Sequence, residues 1–196
     1  MPIPEYRRTK TFNLYSPSDL YRKLLFDIDR LRSATSTKPS VYAALDCAIA
    51  SWHLVDWVLQ TVTPEHYKRL CGLEHPSIAP KKPREKRPNP TRSFVVKQMG
   101  RLPKLDHCQQ IANAVKHREL DPDWIPELAT GSTGIIEWHI TPDGGRSEST
   151  VRILTYITLN GSRYPAISLF EEAAAQWLTF LKEENLFDFR PTDDDA

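Results

Sequence analysis

The chain has 196 residues, a formal net charge of +1 and a hydrophobic content of 40%. That length suits one packed domain with a small appendage, and the apolar content with five Trp excludes a disordered chain. The near-zero charge excludes attraction of nucleic acid through the global field, so any such attraction has to be local. Three cysteines, Cys47, Cys71 and Cys108, form no CxxC pair. A reduced setting without disulfides or a thiolate zinc site is the expectation. Met1 to Arg8 carries no apolar signal region and no run is long enough to span a bilayer, so a cytoplasmic protein with no membrane partner is expected.

Ser16-Pro17-Ser18-Asp19 places an N-cap, a Pro at the first helical position and an acid at the third. Leu20, Leu24, Ile28 and Leu31 then recur at helical spacing. After a break from Ser33 to Pro39, a second helix is predicted from Ser40 to Val62, with a packing seam of Val41, Leu45, Ala48, Trp52, Val55 and Leu59. Thr63-Pro64-Glu65 starts a short helix within 63–75. Residues 76–90 hold five Pro, which exclude a regular helix. The same stretch carries Lys81, Lys82, Arg84, Lys86 and Arg87, a basic loop that either touches nucleic-acid phosphates or is a solvated linker. Helices are predicted again over 91–100 and 104–119, the latter buried through Leu105, Cys108, Ala112 and Val115.

The pattern then changes. Ile135–Ile140 and Val151–Thr158 are β-branched and aromatic, with Pro142-Asp143-Gly144-Gly145 between them, which predicts a hairpin. Asn160-Gly161 signals a second tight turn, leading to a strand near Arg163–Ile167. Ser168-Leu169-Phe170-Glu171 has capping-box spacing and opens a last helix, apolar at Leu169, Ala173, Trp177, Leu178 and Leu181. The acidic end, Thr192 to Ala196, is expected to fray. The fold class is mainly α: a helical bundle over 1–120, then an antiparallel β-hairpin or small sheet and a closing helix over 121–196, an α+β arrangement. A lone hairpin is marginal in water, so this second part has to pack on the bundle.

Two helices carry polar stripes. Asp46, His53 and Asp56 lie near one line on the second helix; Asp106, Gln110, Asn113 and His117 lie on the later one, with Lys116 beside them. If the helices are neighbours, His53, Asp56, Asn113, Lys116 and His117 converge, and a His beside a carboxylate and a Lys suits acid–base chemistry on a phosphate. The plain alternative is that both stripes are solvated faces, or that His53 and Asp56 are a structural pair. A metal site from His53, Asp56 and His117 matches no HxxxH or HExxH spacing, so no metal and no other cofactor is expected. His66, His75 and His107 have no evident partners, and His139 reads as a strand residue. Trp52, Trp57, Trp138 and Trp177 read as core, Trp124 as a loop residue. There is no Gly-rich phosphate loop, nucleophile elbow or kinase motif.

Residues 17–120 resemble the HEPN superfamily, in particular small bacterial and phage proteins with a Trp-His-x-x-Asp-Trp helix (here Trp52 to Trp57) and an Asn-x-x-Lys-His helix (here Asn113 to His117). The superfamily's ribonuclease motif is Arg, a polar residue, three variable residues and His. Asn113 and His117 take the polar and His positions, and Ala112 stands where the Arg is expected. The resemblance implies a helical protein that binds RNA or a related ligand, as a metal-independent endoribonuclease of toxin–antitoxin, phage-defence or counter-defence biology, working as a homodimer. His117 would be the acid/base, Asn113 would orient it, Lys116 would carry the missing charge, and His53 and Asp56 would complete the pocket. The alternative implied by Ala112 is a non-catalytic module with a degenerate site that binds a protein partner.

Overall fold

The computed structural model describes residues 14–78, 88–116, 125, 127–140 and 146–188. Within them the fold is mainly helical, with a small antiparallel sheet and a closing C-terminal helix.

The first helix, α1 (Pro17–Ser33), begins where the caps predict. Ser16 Oγ accepts from the Asp19 amide at 3.2 Å, and the Asp19 carboxylate accepts from the Ser16 amide at 2.9 Å. Two of the orphan amides of the first turn are thus satisfied reciprocally. Leu20, Leu24, Ile28 and Leu31 are all buried, joined by Tyr21. The next helix, α2 (Thr37–Thr61), starts three residues before the predicted point. Pro39 falls inside its first turn, where a missing amide hydrogen leaves nothing unpaired.

The predicted seam on α2 is too narrow. Val41, Leu45 and Trp52 are only partly buried, whereas Ala43, Ala44, Cys47, Ala50, Ser51, Leu54 and Val58 are buried beside Ala48, Val55 and Leu59. The reason is position: α2 packs against the first helix, the last three helices and the first two strands. A helix covered on several sides hides more than one stripe, and the small residues on its added faces let those neighbours approach.

Two short helices follow. α3 (Pro64–Cys71) is capped by Thr63 and ends at Gly72, whose φ of 77° is the left-handed C-cap that glycine adopts without strain. α4 (Pro90–Gln98) is capped by Asn89, whose side chain accepts from the Thr91 and Arg92 amides. α5 spans Leu105–Lys116. The sheet has the order β1 (Ala129–Ile140), β2 (Arg146–Leu159), β3 (Ser162–Pro165), all antiparallel. Both long strands start earlier than predicted. The β2–β3 turn is the two-residue Asn160-Gly161 turn, both residues at positive φ, which matches the twist of the flanking strands. Gly131 faces Tyr156 across the sheet, and a Cβ at 131 would meet the tyrosine ring at 2.5 Å.

The closing helix, α6 (Ala166–Glu183), begins right after Pro165. Strand β3 therefore ends at Pro165 rather than near Ile167, and Ser168 lies inside the first turn instead of capping it. Proline at the junction sets φ for the turn into the helix and leaves no amide hydrogen for the strand ladder. Trp177, Phe180 and Phe94 form an aromatic cluster with ring centroids 5.4 to 6.3 Å apart. Trp177 Nε1 donates to Ser51 Oγ at 3.2 Å, pinning α6 to the middle of α2. Ser18 donates to the Leu186 carbonyl at 3.1 Å and accepts from the Asp188 amide at 2.6 Å, tying the end of the described chain to the start of α1.

Candidate functional site

The two polar stripes sit on neighbouring helices, but those helices run antiparallel. Cys108 is hydrogen-bonded to Ser51 and lies beside Cys47. Three residues on, Ile111 borders the same cavity as Val41, Ala44 and Leu45. Moving forward along α5 thus means moving back along α2. Asn113 is level with the second turn of α2, and His53 and Asp56 lie about 8 to 15 residues further along it, roughly 12–22 Å at 1.5 Å per residue. The expected convergence of His53 and Asp56 with Asn113 does not occur.

Each stripe also has its own account. Asp46 is bound to Arg30 at 3.0 Å, and Arg30 also reaches the buried Asp27 at 3.1 Å, an α1–α2 clasp. His53 is exposed and Asp56 half-buried. Burial raises the Asp56 carboxyl above its ordinary value, opposed by the His53 ring, and among the described residues no hydrogen bond joins the two. Gln110 is buried, so the α5 stripe is not a solvent face. The buried side of α5 includes Leu105, Cys108, Ile111 and Ala112, whereas Val115, expected there, is 50% exposed. The helix leaves the core after Ala112. Asn113 is half-buried and Ala114 exposed. The Lys116 side chain, His117 and the basic residues Lys81, Lys82, Arg84, Lys86 and Arg87 lie outside the described residues.

Polar groups do converge at the other end of α5. A cleft of about 320 Å³ opens between the start of α5, the β2–β3 hairpin and the first turns of α6. Lys104, His107, Tyr164, Ser168 and Glu172 supply its polar lining, and Ile157, Leu159 and Leu169 its apolar wall. His107 Nδ1 lies 2.9 Å from Asp106 Oδ1, close enough for attraction but out of line for a hydrogen bond; the same oxygen accepts from the His107 amide at 2.8 Å. Burial works to raise the Asp106 carboxyl, but the His107 ring and amide outweigh it and hold it below the ordinary value. Lys104 Nζ sits 3.0 Å from the Glu172 carboxylate across the cleft. Sequence spacing contains both edges of this cleft, Lys104–His107 on one helix and Ser168–Glu172 on another. Their meeting depends on the Asn160-Gly161 turn.

A second polar cluster is closed. Glu184, 3% exposed at its side chain, accepts from Arg69, from Arg101 at 2.7 Å and from His66 Nε2 at 2.6 Å. Burial alone would raise its carboxyl, yet Arg69, Arg101 and His66 bring it down to about 2. Arg101 also stacks over Phe180 at 4.3 Å. His66 therefore has a partner that its sequence neighbourhood did not reveal, whereas His75 meets one two residues away, its Nδ1 lying 2.7 Å from Ser77 Oγ. Cys47 and Cys108 are buried, and burial raises both thiols, Cys108 to about 12, so neither is a ready nucleophile. Among the described residues no group of three His, Cys, Asp or Glu is placed to hold a metal ion, and no helix is long and apolar enough to cross a membrane. Comparison with protein-family models, with curated proteins and with solved structures gave no match.

Proposed function

We propose that this chain is a HEPN-like helical protein that binds RNA through the C-terminal end of α5 and cleaves it without a metal. The observation that carries the reading is the way α5 emerges from the core: buried through Ala112, half-buried at Asn113 and exposed at Ala114 and Val115. The Asn113-x-x-Lys116-His117 motif thus begins where the helix surfaces. His117 is the acid/base for attack of a ribose 2′-hydroxyl on the adjacent phosphorus, with departure of the 5′ oxygen. Asn113 orients it, and Lys116 stabilises charge on the phosphate in place of the arginine that Ala112 replaces. The basic residues from Lys81 to Arg87 add salt-dependent phosphate contacts. His53 and Asp56, well along α2, are not part of this site. The homodimer belongs to the same reading.

The test is cleavage of labelled total RNA and tRNA by the full chain, with and without EDTA, beside His117→Ala. EDTA-resistant cleavage that the variant loses supports the proposal. Cleavage abolished by EDTA, or equal in the variant, overturns it. A second reading is a non-catalytic module for a protein partner, which would draw on exposed apolar side chains such as Phe26 on α1, 64% exposed, and Val96 on α4, 66% exposed. RNA neither bound nor cut by the wild-type chain would favour that reading.

A further inference from the structure

We propose that the cleft between α5, the β2–β3 hairpin and α6 receives a single unstacked nucleobase. This rests on the RNA reading above but concerns a different place on the chain, at the opposite end of α5 from Asn113.

Size comes first. A volume of about 320 Å³ is at the small end of ligand clefts, enough for one ring system with part of its sugar and too small for a helix or a stacked pair. Charge comes second. Lys104 lies 3.0 Å from Glu172 and His107 2.9 Å from Asp106, so each basic group already faces a carboxylate. The local field offers no surplus positive charge to a phosphate, and the fitting ligand is neutral. The walls come third. Ile157, Leu159 and Leu169 form an apolar side, while Tyr164 is 53% exposed, a ring that the core does not use. Aromatic rings at the rim of a cleft are the usual stacking surface for an unpaired base, and such stacking tolerates any base. The last element is the edge. The Ser168 hydroxyl, the Glu172 carboxylate and the His107 imidazole line the same space with both donors and acceptors. A purely apolar guest would strip water from these groups and return no hydrogen bond to them. A planar, neutral molecule with an apolar face and a hydrogen-bonding edge satisfies all four features, and a nucleobase is that molecule.

The base can arrive in an RNA strand or as a free nucleoside, and the experiment separates the two. The full chain is titrated with adenosine, guanosine, cytidine and uridine, with the matching 5′-monophosphates, and with short single-stranded RNA, by calorimetry and by NMR. At least one nucleoside is expected to bind saturably, with the monophosphate no tighter. Tyr164→Ala is expected to weaken it by about tenfold or more, as loss of one stacking partner implies, while Tyr164→Phe keeps it. Tyr164 is exposed enough that neither change threatens the fold. Absence of saturable binding by all four nucleosides overturns the proposal, as does affinity unchanged in Tyr164→Ala. RNA cleavage that depends on His117 but proceeds without any nucleoside binding leaves the ribonuclease and removes the base pocket. Nucleoside binding with no RNA binding keeps the pocket, for a free nucleoside, and removes the RNA reading.

Discussion

The two ends of α6 carry nearly the same ingredients. At its C-terminal end a carboxylate, Glu184, meets His66, Arg69 and Arg101. At its N-terminal end Glu172 meets Lys104, with His107 and Asp106 alongside. The first cluster is closed: the carboxylate is buried, three donors converge on it, and an arginine sits over the Phe180 ring. The second is open. Its ion pair spans a cleft, its histidine is out of line with its carboxylate, and its tyrosine ring faces water. Residue types therefore do not separate a structural cluster from a binding site. Satisfaction and space do, because a fully hydrogen-bonded group has nothing left to offer a ligand.

Glu184→Ala attacks that contrast with the largest effect. It strands Arg69, Arg101 and His66 around a vacated position, and stability is expected to fall by about 2–4 kcal/mol in urea unfolding. A loss within experimental error would mean that the closed cluster holds nothing together. The acid limb is next. The folded Glu184 carboxyl, at about 2, lies below its ordinary value of 4.5, so the folded state favours the charged form. Its contribution is complete above pH 4.5 and disappears as pH falls from 4.5 towards 2. Unfolding midpoints measured across that window should drop in the wild type and flatten in Glu184→Gln.

At the open end, His107→Ala is expected to change stability by no more than about 1 kcal/mol, while nucleoside affinity falls. If stability fell as far as in Glu184→Ala, the cleft would be structural after all. Smallest is Asp56→Asn. Burial raises this carboxyl, so its charged form is the disfavoured one in the fold, and the cost appears as pH rises above the ordinary value of 3.8 and is complete above the folded value. At neutral pH the variant should be as stable as the wild type or more so, by up to about 0.5 kcal/mol, the opposite sign to Glu184. A clear loss would show that Asp56 has a partner worth keeping.

Local chemistry was legible from the chain alone. The Ser16 capping box, the buried Leu20–Leu24–Ile28–Leu31 row, the Asn160-Gly161 turn and the helix–sheet–helix order all follow from forces acting within a few residues. A side chain reaching its own helix start, or a backbone needing positive φ, leaves a mark at fixed spacing. The start of α6 was misplaced because Ser168 and Glu171 have capping spacing, while Pro165 ends the strand sooner.

Direction and adjacency were decided elsewhere. Whether His53 meets Asn113 depends on α5 running against α2, which follows from Cys108 packing by Ser51 and Ile111 near Ala44. The width of the buried face on α2 depends on how many elements surround it. Glu184 finds Arg69 and His66 across more than a hundred residues of chain, and His107 shares a cleft with Ser168 only because a two-residue turn lays β3 beside β2. Sequence by itself determined which segments coil, extend and turn, since those choices are local. Tertiary structure alone decided which polar groups are satisfied and which still face open space, since burial and partners are properties of the packed whole.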